Sequence, residues 1–119
     1  MSMQDARSTV LLVEDDELLR LYISEELADA DIKVLEARSA DDAWALFQNE
    51  PSITAVVTDL NLRGERSGAD LCDQVRAARP ETRLVIASGE RVHPGQVPGA
   101  AILAKPYNGA DVIELVQIR

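Results

Sequence analysis

The sequence predicts an α/β fold: a doubly wound parallel sheet of five strands in the order 2-1-3-4-5, covered by helices on both faces. Two observations carry this expectation. Short apolar runs alternate with segments of helical periodicity from Thr9 onward. At 119 residues the chain has room for one core, and no repeat, low-complexity tract or linker marks a second, so a single domain over 1–119 with no separate output domain is expected.

The run TVLLV at Thr9–Val13 has the composition of a central strand and stops at the acids Glu14, Asp15 and Asp16. Leu19, Ile23, Leu27 and Ala30 then recur at helical spacing. That phase turns Glu25, Glu26 and Asp29 away from the core and puts Leu21 nearly opposite it, with Leu18 on the flank. Residues 32–37 (IKVLEA) read as the second strand. Ser39, followed by Asp41 and Asp42, caps a helix to about Asn49 that buries Ala43, Leu46 and Phe47. The third strand is ITAVVTD, an apolar run that delivers the carboxylate Asp59 to its tip.

A helix over 68–79 carries Leu71, Val75 and Ala78 and is ended by Pro80; residues 82–87 (TRLVIA) form the fourth strand and Ala100–Ala104 the fifth. Asn108, with Asp111 three residues on, caps a last helix burying Val112, Leu115 and Val116. Pro94, Gly95, Pro98 and Gly99 stand where the fourth crossover helix belongs, so that helix is expected to be absent or limited to about one turn over 90–93. The arrangement is flavodoxin-like.

Composition narrows the function. With 46% hydrophobic and 28% charged residues the chain is globular, and no stretch approaches the roughly 20 apolar residues of a membrane span. The start MSMQDARS lacks the apolar core of a secretory signal, which points to the cytoplasm. Twelve basic against twenty-one acidic residues give a net charge of −9, which opposes attraction to nucleic-acid phosphates. The single cysteine, Cys72, reads as a small buried residue on a helix. Trp44 and Phe47 read as packing, and His93, alone in a Pro/Gly loop, as a solvated residue.

The strand ends carry a chemically consistent set: Glu14 and Asp15 after the first, Asp59 after the third, Ser88 after the fourth, Lys105 after the fifth. A parallel sheet gathers these on one edge, and the order 2-1-3-4-5 makes the first and third strands neighbours, so their acids converge. Three converging carboxylates repel one another unless a cation sits among them, and such oxygen ligands suit Mg²⁺. A lysine and a hydroxyl opposite suit a dianion. Asp16 reads as a helix cap.

The segments VLLVEDDE, VVTDLNL, LVIASG and LAKP, in this order over almost the whole chain, resemble the receiver domain of bacterial two-component response regulators. The resemblance implies that Asp59 is the phospho-acceptor, with Asp15 and the main-chain carbonyl of Asn61 completing a Mg²⁺ site and Glu14 as the other pocket acid, usually reaching the metal through water. It makes Ser88 the switch hydroxyl and Lys105 the family's lysine, followed by Pro106. It further implies a sensor histidine kinase or histidine phosphotransfer protein as donor, a downstream protein as target, and a docking surface on the first helix and the loop after the fifth strand. In resembling receivers, Asn61 and Glu90 flank the path of the water that removes the phosphoryl group.

Three departures stand out. Arg63 replaces the usual proline after the acceptor, Ile102 occupies the position of the switch aromatic, and the fourth crossover is rich in Gly and Pro, as in a subgroup of single-domain receivers lacking a regular fourth helix. Two rivals have different chemistry. An unphosphorylated pseudo-receiver would act as an interaction module alone. A haloacid-dehalogenase-type phosphatase also uses Asp, Ser/Thr and Lys with Mg²⁺, but expects its nucleophile in a DxD motif on the first strand and a cap insertion.

Overall fold

Alternation within the central strands divides the core in two. In β1 (Thr9–Val13), Leu11 and Val13 enter one apolar cluster while Val10 and Leu12 enter the other, as the two-residue period of a strand requires. β3 (Ile53–Asp59) and β4 (Arg83–Ser88) repeat the division: Val56 and Ile86 join the first cluster, Val57 and Val85 the second. The computed structural model describes residues 9–93 and 95–117. Residues 1–8, the start expected to carry no secretory signal, and Pro94 lie outside the described residues.

Each cluster is closed by two helices. α2 (Ala40–Asn49) and α3 (Gly68–Ala78) cover the first through Ala43, Phe47, Leu71 and Val75. α1 (Glu17–Asp29) and α4 (Gly109–Val116) cover the second through Ile23, Leu27, Val112 and Val116. β2 (Lys33–Ala37) and β5 (Ala100–Ala104) are the edges of a parallel sheet ordered β2-β1-β3-β4-β5, as expected. The caps also fall where the sequence puts them: Asp16, Ser39 and Asn108 accept from the amides of Leu19, Asp42 and Asp111, each contact worth about 0.5–2 kcal/mol.

Several local expectations are corrected. The second strand begins at Lys33 and the fourth runs one residue later than expected, ending on Ser88. Ala78, the last residue of α3, is exposed rather than facing the core. The Arg79 guanidinium lies 3.6 Å from the Phe47 ring centroid and donates to the carbonyls of Phe47, Glu50 and Pro51, which closes the C-terminus of α2. Glu26 is half-buried rather than turned to solvent, since α4 packs beside α1 and the Gly109 amide donates to Glu26 Oε1 at 2.6 Å. Trp44 and Phe47 stack with centroids 5.8 Å apart, and Cys72 is buried.

Between Ser88 and Ala100 no helix forms among the described residues. Val97 is buried in the cluster beneath α3, and Arg76 Nη1 donates to the Pro98 carbonyl at 2.9 Å. Those two contacts tie down the C-terminal half of the crossover, while Ile102 on edge strand β5 stays 41% exposed. Leu18 and Leu21 on α1 are 79% and 49% exposed, in agreement with the helical phase.

Candidate functional site

Because β1 and β3 are neighbours, the acids at their ends meet. Glu14, Asp15 and Asp59 each offer a carboxylate oxygen, all within 4.8 Å of one another, and this is the one such acidic group among the described residues. The loop after β1 is gripped from both sides. The Glu14 amide donates to the Ala37 carbonyl at 3.0 Å, and Arg20 Nη1 donates to the Glu14 carbonyl at 2.7 Å while Glu36 holds the same guanidinium.

Glu14 is 2% exposed; its Oε2 accepts from the Asp16 amide at 3.0 Å, and its Oε1 has no donor. Burial is the largest reason its carboxyl sits above the ordinary range. The Asp16 amide opposes that shift, the negative charges of Asp59 and Asp15 add to it, and Lys105 counters it. A buried carboxylate oxygen without a donor, set among two further carboxylates, is an arrangement that a hard cation completes. The residues present fit a divalent ion.

Asp59 is buried at the tip of β3, and α3 starts hard against its backbone. A Cβ at Gly68 would meet the Asp59 carbonyl oxygen at 2.1 Å, so only glycine permits this approach. Lys105 Nζ donates to Asp59 Oδ2 at 2.9 Å. Burial pulls the Lys105 pKa down, but the Asp59 hydrogen bond and the charges of Asp59, Glu14 and Asp15 outweigh it and leave the pKa raised, so the amine is a cation at neutral pH. The Lys105 amide is itself fixed to the Ser88 carbonyl at 2.9 Å.

Ser88 sits one residue beyond the Asp59–Ala87 pair of the sheet, and its buried hydroxyl accepts from the Glu90 amide at 3.0 Å. Asn61 reaches toward both strands: its amide donates to Asp59 Oδ1 at 3.4 Å and its Nδ2 to Glu90 Oε1 at 3.3 Å. The acids and the lysine thus come together as expected. His93 is exposed in the crossover.

The contacts of three residues near the site escaped sequence reasoning. Arg20 secures the Glu14 carbonyl, which its i+6 spacing on the next helix could have suggested. Tyr107 is buried, and burial first, then the charges of Glu14 and Asp59, push its hydroxyl above its ordinary value. Arg63 contacts Asp15 from a loop 48 residues away, a pairing without a local signal.

Comparison with known proteins agrees with this geometry. The family model described as the response regulator receiver domain matches residues 10–117. Among solved structures, a response regulator receiver protein from Sinorhizobium medicae WSM419 is 27% identical over 93% of this chain and 92% of that one, with a TM-score of 0.85. One from Pseudomonas putida is 28% identical over 93% and 96%, with a TM-score of 0.82. A response regulator protein from Burkholderia pseudomallei, whose structure holds a phosphorylated aspartic acid, a calcium ion and citrate, is 25% identical over 92% of this chain and 66% of that one, with a TM-score of 0.82. A search of curated proteins found no significant match. With a family match across nearly the whole chain and the fold to go with it, the chain belongs to the response regulator receiver domains of two-component signalling.

Proposed function

We propose that this receiver accepts a phosphoryl group on Asp59 from a sensor histidine kinase or histidine phosphotransfer protein and signals in the cytoplasm by contact with a downstream protein. The observation that carries the reading is the 2.9 Å contact of the Lys105 ammonium with Asp59, beside a carboxylate trio that fits a cation. The phosphorylated aspartic acid and calcium ion in the similar Burkholderia pseudomallei structure support it. No helix among the described residues is long and apolar enough to cross a membrane.

The chemistry rests on charge. The Asp59 carboxylate attacks phosphorus, the new O–P bond forms as the N–P bond of the phosphohistidine breaks, and the bonding pair returns to the imidazole. Phosphoryl transfer needs positioning and neutralisation of the equatorial oxygens more than it needs an acid or base. A divalent ion held by Glu14, Asp15, Asp59 and the Asn61 carbonyl supplies part of that neutralisation when bound. Lys105 supplies the rest, exchanging its Asp59 contact for a phosphoryl oxygen, and the Ser88 hydroxyl turns from Glu90 to another. The exposed Leu18 and Leu21 give α1 an apolar surface for the donor.

Intact-mass measurement after incubation with acetyl phosphate and Mg²⁺ tests the reading. One phosphoryl group should add to the wild type and none to Asp59→Asn or in the presence of a chelator. A protein that never gains the group acts as an interaction module instead, and turnover of many small phosphate esters would indicate a phosphatase.

A further inference from the structure

The three acids of the site are not served alike. Asp59 is held by Lys105, and Glu14 keeps one oxygen without a donor. Asp15 has a counter-ion of its own. The Arg63 amide donates to Asp15 Oδ2 at 3.1 Å, and the Arg63 Nε lies 3.8 Å from the same oxygen. The two contacts differ in kind. The amide is fixed by the loop between β3 and α3 and survives any side-chain change except proline. The guanidinium is an ion pair beyond hydrogen-bond length, on a side chain 91% exposed, so it leaves at little cost.

Charge shows what that guanidinium does. Glu14, Asp15 and Asp59 carry three formal negative charges, and Lys105 and Arg63 return two positive ones, leaving the site at minus one. Without Arg63 it stands at minus two, the complement of a divalent cation. The oxygen that Arg63 faces belongs to one of the carboxylates offered to that cation. An arginine and a divalent ion on one carboxylate repel each other, and with one of them largely solvated the repulsion is modest and screened by salt.

We infer that Arg63 is a resident counter-ion of Asp15 that competes with the divalent cation and so sets the concentration at which the site fills. The inference rests on the cation site of the proposed function. Receiver loading would then depend on the cation level through a residue that touches neither the acceptor nor the phosphoryl group.

Direct binding of Mn²⁺ to the full chain, followed by its paramagnetic resonance signal and by calorimetry, tests this without phosphorylation. At an ionic strength on the order of 10 mM, Arg63→Ala and Arg63→Gln should bind about two- to ten-fold tighter than wild type, with Arg63→Lys in between. At about 0.5 M salt the difference should shrink below about two-fold. Thermal melting without metal reports whether each variant folds, and two neutral variants guard against an accident of either. Equal affinities at low salt, or weaker binding in both neutral variants, would overturn the competition while leaving the cation site in place. Absence of binding in every protein, wild type included, would overturn the cation site and the inference with it.

Discussion

At the scale of single residues, the 2.9 Å contact of Lys105 with Asp59 joins the acidic cluster to the lysine at the end of β5. Replacing Lys105 by Ala removes the charge that faces the transferring oxygens, so the rate of phosphorylation by acetyl phosphate should fall about 10²- to 10³-fold, a loss of the size seen when one preorganised donor is deleted. Mn²⁺ binding should persist in that variant, since Lys105 is not among the ligands. Loss of binding along with the rate would mean that the lysine holds the pocket together instead. The Asn61–Glu90 contact, 3.3 Å across the loops after β3 and β4, belongs to the same scale. Polar side chains there admit and orient water, so phospho-Asp59 should be short-lived, and Asn61→Met with Glu90→Leu should slow its hydrolysis after donor removal. An unchanged decay would show that water enters by another route.

Among the elements, the start of α3 and the crossover after β4 are the two places where backbone shape serves the site. Gly68→Ala would drive a methyl group into the Asp59 carbonyl oxygen, and this overpacking should cost about 1–3 kcal/mol in chemical denaturation. The variant should also phosphorylate poorly, because relief comes by shifting Asp59 or α3. Full stability and full phosphorylation together would mean that the backbone yields there without disturbing the site. The described part of the 89–99 crossover has no helical ladder, and its chief ties, Val97 and the Arg76–Pro98 bond, lie toward its C-terminal end. Its N-terminal part is held by the Glu90 amide on Ser88, by the Asn61–Glu90 contact and by half-buried Val92 against the first cluster. Drawing Ser88 toward a phosphoryl group therefore reorganises residues 89–93 first. Amide exchange there should slow when beryllofluoride is added with Mg²⁺, and identical exchange in both states would remove the segment from the mechanism.

For the molecule as a whole, buried ionisable groups set the alkaline limit. Burial raises the Cys72 thiol to about 12 from its ordinary 9.0, and Tyr107 is likewise held above its usual value. Both are neutral in the fold. Their contribution is complete below the unfolded pKa values and is lost as pH rises through them toward the folded ones, so the melting temperature should fall from about pH 9 upward. Cys72 should resist alkylation until the chain unfolds; rapid modification of the native protein at pH 8 would contradict its burial. Topology and the meeting of Glu14, Asp15 and Asp59 were legible in the sequence, because alternating periodicities fix a parallel sheet and strand order alone then makes the acids neighbours. The roles of Arg79, Glu26 and Arg63 were not. Each long polar side chain lies where helical phase or loop position says solvent, and its partner is set by how separate elements pack, which no local pattern encodes.

The proposed function turns on Asp59, the carboxylate that an apolar strand carries to its tip, being the phosphorylated group. Reduction of the acetyl-phosphate-treated protein with borohydride converts an aspartyl phosphate to homoserine, and peptide mapping locates the conversion. Homoserine is expected at position 59, with no conversion of Asp15, whereas homoserine elsewhere, or a phosphorylated protein that yields none, would contradict the assignment.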